Sequence, residues 1–254
     1  MGVRLKKKPI GLQLYTLRGE TAKDFPGTLN RVAEMGYNGV ELAGTGGLSA
    51  HEMCKVLTDA GLKVYGSHVG LEQLEKDLTG TIAYHKEIGC KYLVCPYLAE
   101  DRRQNGQAYR QIGGTLETVG RACREAGLGF CYHNHAFEFQ SYDGVHGLDL
   151  LYKASDPGLV QAELDLYWVA YAGLDPAAYL AKLKGRVPLL HLKDMAADRA
   201  FAEVGEGILD WPAVFEAAQA AGVEYYIVEQ DECKRPPLEA VGISLQNLRR
   251  MGIA

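Results

Sequence analysis

Apolar residues in this chain fall into short runs between amphipathic stretches, and one junction recurs from end to end. A stretch with helical periodicity closes on a glycine, and a β-branched or aromatic run begins within a residue or two. Glu34-Met35-Gly36 leads into Tyr37–Ala43, Asp59-Ala60-Gly61 into Leu62–Val69, and Glu87-Ile88-Gly89 into Cys90–Pro96. Glu125-Ala126-Gly127 leads into Leu128–His135, Leu183-Lys184-Gly185 into Arg186–Asp194, and Ala220-Ala221-Gly222 into Val223–Asp231. Glycine closes a helix in the left-handed conformation at least steric cost, so each junction predicts a helix followed by a strand. Two more strands lack this lead-in: Ile10–Thr16, and Val160–Trp168 after Ser155-Asp156-Pro157-Gly158. Eight strands are predicted in all.

Helix starts lie between them. Asp24 precedes Phe25-Pro26, Ser49 opens Ala50–Ala60, Asp175 opens Pro176–Lys184, and Asp210 opens Trp211–Ala221. Short polar side chains cap the first turn, and proline is tolerated just inside it. Glu72–Ile88, Gln107–Ala126, Leu148–Ala154 and Leu238–Met251 supply the remaining helices. Strict alternation implies parallel strands joined by helical crossovers. Eight such units in 254 residues, with no linker or composition shift, predict one α/β domain over residues 1–254, a (β/α)8 TIM barrel. A doubly wound sheet is the rival. Gly44-Thr45-Gly46-Gly47 is its weak gesture toward a phosphate turn, and the Gly-x-Gly-x-x-Gly pattern is absent.

Composition narrows the partners. The formal net charge is −5, and Arg4-Leu5-Lys6-Lys7-Lys8 is the one basic cluster. Binding to a phosphate backbone needs clustered cations, so nucleic acid is not expected and a small neutral substrate is. No apolar run approaches the ~20 residues of a membrane span, and the start lacks the pattern of a secretory leader. The six cysteines form no Cys-x-x-Cys pair, which predicts reduced, mostly buried thiols in a cytoplasmic protein.

The stretch Cys131-Tyr132-His133-Asn134-His135-Ala136-Phe137-Glu138-Phe139 carries unusual polarity at the end of an apolar strand. In a TIM barrel the site is built at the carboxyl ends of the strands, and residues two apart on a strand share a face. That phase predicts Gln13 and Tyr15 inward on the first strand, Glu41 on the second, His68 on the third, and His133 with His135 on the fifth. It places Glu163, Asp165 and Tyr167 together on the sixth, His191 and Lys193 on the seventh, and Glu229 on the eighth. Taken singly, such a residue is usually solvated or locally hydrogen-bonded. Glu163 is expected to be a buried structural carboxylate paired with a cation such as Lys193. His51 and His85, on helices, are expected at the surface, and His146 has no role. Asp165, His191 and Glu229 differ as a set, because three consecutive strands place them inward at one depth. Anions gathered at one spot repel unless a cation is present. An oxygen-rich set with one imidazole suits a divalent metal, with Mn²⁺ favoured, Co²⁺ or Mg²⁺ next and Zn²⁺ admissible.

Several motifs then fall together: Leu12-Gln13-Leu14-Tyr15-Thr16-Leu17-Arg18, Tyr37-Asn38-Gly39-Val40-Glu41-Leu42, Gly66-Ser67-His68 and Tyr132-His133-Asn134-His135 with Glu138-Phe139. Leu164-Asp165, His191-Leu192-Lys193-Asp194, and Val204-Gly205-Glu206-Gly207 with Asp210-Trp211 continue the series. Over its whole length the chain resembles the xylose-isomerase-like barrel superfamily, which holds sugar phosphate isomerases/epimerases and endonuclease IV. The resemblance implies a metal held by Glu, Asp, His and Glu from the last four strands, here Glu138, Asp165, His191 and Glu229. Sugar epimerases of the family carry the first Glu within the fifth strand, where this chain has His133. Glu138 must therefore fold back from the loop beyond, or else His133 or His135 takes its place.

The leading expectation is a metal-dependent sugar isomerase/epimerase working through an enediolate. Glu138, Glu229, His135 and Lys193 are the expected catalytic residues, with Gln13, Tyr15, Glu41, His68, His133 and Glu206 on the substrate. The closest competitor keeps the metal and the enolate but expels a β-substituent, making a lyase or dehydratase of a keto-sugar, 3-keto-glycoside or inosose. The paired histidines favour it, because a leaving group needs a general acid. An apurinic-site endonuclease and a non-catalytic sugar-binding protein stand behind these two. Trp168 and Tyr171 are expected to be exposed, lining either the substrate site or a homo-oligomer contact.

Overall fold

The computed structural model describes residues 6–254, so the first five residues of the basic start, with Arg4 and Leu5, lie outside the described ones. Eight parallel strands form a closed barrel: β1 Ile10–Gln13, β2 Gly39–Ala43, β3 Lys63–His68, β4 Tyr92–Cys95, β5 Gly129–His133, β6 Gln161–Asp165, β7 Leu189–Leu192 and β8 Tyr225–Val228. Each pairs with its sequence neighbours, and β1 pairs with β8 to close the ring. The crossovers carry helices α1 Phe25–Met35, α2 Ala50–Ala60, α3 Leu78–Glu87 and α4 Gly106–Ala126. α5 Gly147–Lys153, α6 Pro176–Lys182, α7 Trp211–Ala221 and α8 Pro237–Arg250 complete the outer layer. The expected caps are present: Asp24, Asp175 and Asp210 accept from first-turn N–H groups, and Ser49 with Glu52 forms a reciprocal capping box. Among the described residues no helix is long and apolar enough to cross a membrane. All six cysteines are free thiols, four of them buried.

Three expected elements end early, each for a polar reason. The first strand stops at Gln13, whose side chain accepts from the Tyr15 N–H and turns Leu14–Leu17 into a 3-10 helix. Tyr15 therefore leaves the strand phase and stands 45 % exposed at the barrel rim. The sixth strand stops at Asp165, which caps a short helix over Leu166–Tyr171. Tyr167 consequently does not line up with Glu163 and Asp165, and its hydroxyl donates to the Arg199 carbonyl. The helix expected over Glu72–Ile88 breaks at Asp77, which adopts φ −148° and caps α3 through the Gly80 N–H.

The barrel interior has an apolar floor. Tyr65 and Tyr225 stack with centroids 4.3 Å apart near the amino ends of β3 and β8, with Tyr92 edge-on to Tyr225. Room for these rings comes from missing side chains: a Cβ on Gly129 would lie 2.2 Å from the Tyr92 ring. Val94, Cys131 and Leu189 pack above them. Everything polar in the barrel therefore lies toward its carboxyl end. One carboxylate also shapes the loop after β7. Asp194, fully buried, accepts from the N–H groups of Met195, Gly205, Gly207 and Leu209 and from the Trp211 indole.

Two glycines of α4 test how tightly the outer layer is built. A Cβ on Gly120 would lie 2.1 Å from the Leu159 carbonyl oxygen, whereas nothing lies within 4 Å of one on Gly114. Gly120→Ala is expected to destabilise the protein by about 1–3 kcal/mol through forced backbone movement. Gly114→Ala is expected to stabilise it by up to about 1 kcal/mol through helix propensity. Urea unfolding midpoints that move in the same direction for both would refute the close approach of α4 to Leu159.

Candidate metal centre

Strand alternation and register together assemble the site. Glu163 and Asp165 are two apart on β6, so both enter the barrel, and Asp165 is in register with His191 of β7. His133 of β5 is in register with Glu163. Lys193 and Glu229 follow immediately after β7 and β8, beside one another. All six are at most 5 % exposed.

These groups form two tiers. In the lower tier, His68 Nε2 lies 2.7 Å from Glu163 Oε2 and 3.3 Å from Glu41 Oε2. The Gln13 amide donates to Glu41 Oε2 at 2.9 Å. In the upper tier, Lys193 Nζ lies 2.7 Å from Glu229 Oε2, 2.9 Å from Asp165 Oδ2 and 3.1 Å from Asp231 Oδ2. Two imidazoles span the tiers. His191 Nε2 is 2.7 Å from Glu41 Oε2 and its Nδ1 is 2.9 Å from Glu229 Oε2. His133 Nδ1 is 3.0 Å from Glu163 Oε2 and its Nε2 is 3.8 Å from Asp165 Oδ2.

Burial and pairing compete at each group. Burial alone would raise Glu229 and Glu41, but Lys193 and His191 beside the first, and His68 and His191 beside the second, hold both below the usual carboxylate range. Burial would lower His68, yet Glu41 and Glu163 raise it to about 10. Burial and the neighbouring imidazoles push His133 well down, and burial with Lys193 takes His135 to about 3, so both are neutral at pH 7. Burial outweighs pairing at Asp231, which is raised to about 6.

Among the described residues, two groups of ligand atoms lie close enough to hold an ion, each within 4.8 Å of one another: His68, His133, Glu163 and His191 below, and His133, Asp165, His191 and Glu229 above. The upper group is the richer in oxygen, with two carboxylates to the lower group's one. Each holds a buried carboxylate oxygen without a hydrogen bond, Asp165 Oδ2 above, whose Oδ1 caps the Trp168 N–H, and Glu163 Oε1 below. Glu229, His133 and His68 border a cavity of about 490 Å³, with Tyr15, Ala43, Pro96, Tyr97, His135, Lys193 and Asp231. Two imidazole nitrogens and two carboxylate oxygens suit a divalent transition metal.

Several expected placements are corrected. Glu138 does not fold back to the ligands. Its carboxylate accepts from the Tyr132 hydroxyl at 2.6 Å and the His135 N–H at 2.8 Å, and burial raises it to about 7. Tyr132 alternates with His133 on β5 and faces away from the barrel interior, so Glu138 lies behind the strand. Glu163 is buried as expected, but its partners are His68, His133 and His191 and not Lys193. Glu41 and Gln13 sit beneath the cavity, bonded to each other. Glu206 is exposed, in an ion pair with Arg235, and does not border the cavity. His51 is exposed, but His85 is buried, between Ser67 Oγ and the Thr81 carbonyl. His146 holds the Phe139 carbonyl. Tyr171 is exposed, while Trp168 is partly covered and packs against His135 and Tyr171. Tyr97 and Asp231 were not anticipated. The first directly follows the expected fourth strand at Pro96, and the second is in phase with Glu229, so both were readable.

The profile of the xylose isomerase-like TIM barrel family matches residues 29–251. An inosose dehydratase of Geobacillus kaustophilus is 25% identical over 192 residues, 67% of this chain and 62% of that protein. One from Lacticaseibacillus casei is 25% identical over 152 residues, 52% of this chain and 50% of that protein. The chain thus spans only about half to three-fifths of these relatives. A crystal structure of a sugar phosphate isomerase/epimerase from Parabacteroides distasonis superposes with a TM-score of 0.84 at 27% identity, covering 98% of this chain and 96% of that one. A closed eight-stranded barrel with its acid and imidazole groups gathered at the carboxyl end, and a family match over nearly the whole length, place this chain in the xylose isomerase-like TIM barrel family.

Proposed function

We propose that this protein is a divalent-metal-dependent enzyme that removes a proton beside the ketone of a sugar- or cyclitol-type substrate and expels a hydroxyl from the adjoining carbon. The observation that carries this reading is the asymmetry of the cavity. Glu229 and Asp231 line it with Lys193 at the ends of β7 and β8, whereas β5 presents His133 and His135 and keeps Glu138 behind the strand. Inverting a carbon by proton transfer calls for a base on each face of the substrate. Elimination calls for a base on one side and a proton donor for the leaving oxygen. The names of the curated relatives point the same way.

Glu229, ionised through its contacts with Lys193 and His191, serves as the base. Lys193 keeps its charge through Asp165, Glu229 and Asp231 and holds the substrate oxygen that gains negative charge. His135, neutral and bordering the cavity, gives a hydrogen bond to the departing hydroxyl, which leaves as water with the proton that Glu229 took from carbon. Tyr15 and Tyr97, each nearly half exposed on the cavity rim, supply flat surfaces for a ring. An ion held by His133, Asp165, His191 and Glu229 would stabilise the oxyanion that develops on the carbonyl. This donor set suits Co²⁺ or Zn²⁺ as well as Mn²⁺. Isomerisation or epimerisation is the second reading, supported by the likeness to the Parabacteroides protein. It shares the first half-reaction and returns the proton instead of expelling a hydroxyl.

Two measurements test this. Elemental analysis of the purified protein is expected to find a divalent transition metal that Asp165→Asn loses. Turnover by a metal-free preparation would instead give the cation's part to Lys193. Glu229→Gln is expected to lower turnover by at least ~10²-fold. With inososes, keto-sugars and 3-keto-glycosides as substrates, a dehydrated product supports elimination, an epimer alone supports the second reading, and full activity of Glu229→Gln removes the base assignment.

A further inference from the structure

Apart from His68, the lower tier does not border the cavity, and the proposed chemistry gives it no task. Its geometry supplies one. A histidine binds a metal through the lone pair of one ring nitrogen, so its proton must sit on the other, and whatever accepts that proton fixes the ring. His133 turns Nε2 toward Asp165 and Nδ1 onto Glu163 Oε2 at 3.0 Å. His191 is turned the opposite way, with Nδ1 toward Glu229 and Nε2 on Glu41 Oε2 at 2.7 Å. Each ring thus turns one nitrogen to the upper tier and the other to the lower, where His191 Nε2 also lies 3.2 Å from Glu163 Oε2. We infer that Glu163 and Glu41 are positioning residues, which hold His133 and His191 in opposite tautomers so that both present a free lone pair to the upper site.

Three further features fit. His68, between the two glutamates, offsets their charge. Gln13 fixes Glu41 from the side. Gly66 leaves it room, since a Cβ there would lie 2.0 Å from Glu41 Oε1. The inference also accounts for the fifth strand. An imidazole at His133 needs a partner behind it that a carboxylate ligand would not, and Glu163, in register with His133, is that partner.

This rests on reading the upper four residues as the metal centre, and the test separates the two claims. The full-length protein, stripped with a chelator, is titrated with Co²⁺, following the visible spectrum and the dissociation constant. Wild type is expected to bind one equivalent, and Asp165→Asn to lose it. Glu163→Gln is expected to keep the stoichiometry while binding about 10–100-fold more weakly, with an altered cobalt spectrum. A side chain that served only packing would leave that spectrum unmoved. Glu41→Gln is expected to act likewise through His191, and carries the test if the Glu163 variant does not fold. A dissociation constant within twofold of wild type in both variants overturns the inference and leaves the metal centre standing. Binding that survives Asp165→Asn but vanishes in Glu163→Gln would place the ion in the lower tier and overturn both.

Discussion

Four carboxylates, Glu41, Glu163, Asp165 and Glu229, are buried together in one barrel, and the rest of the site is arranged to make that tolerable. Unpaired buried charges cost several kcal/mol each, so a cluster of this kind persists only with compensating cations and hydrogen bonds. Lys193 covers the upper pair, His68 the lower, and His191 touches both. The strands supply this by register alone, since Glu163, Asp165, His191 and His133 are cross-strand neighbours. The two tiers are linked, because His133 and His191 contact carboxylates of both.

The compensation also explains how the departure on the fifth strand can be accommodated. His133 stands where the resemblance implies a carboxylate, and Glu138 is committed elsewhere, tying β5 to the loop beyond through Tyr132 and the His135 N–H. An imidazole there brings no negative charge to the upper tier and gives Glu163 a partner below. The two tiers are therefore coupled through it.

The barrel was legible because its signals are local. Gly-closed helices, Asp and Ser caps and short apolar runs act within a few residues, and the eight strands and the Asp24, Ser49, Asp175 and Asp210 caps appeared where the pattern set them. Depth within the barrel was legible for the same reason, through strand alternation. What escaped the sequence depended on side chains redirecting the backbone. Gln13 and Asp165 bond to N–H groups just ahead and end their strands, carrying Tyr15 and Tyr167 out of phase. Glu138 was misplaced because nothing in its own neighbourhood shows that a tyrosine hydroxyl behind the strand would take it. His85 looked like a surface residue on a helix until Ser67 supplied its partner.

The stacked tyrosines at the base of the barrel have a kinetic meaning as well as a structural one. They fill the amino end of the barrel, so the polar layer opens toward its carboxyl end. An ion held there and a substrate would have to enter from that same side. Loading of the centre would then precede binding of substrate, and a bound substrate would trap the ion.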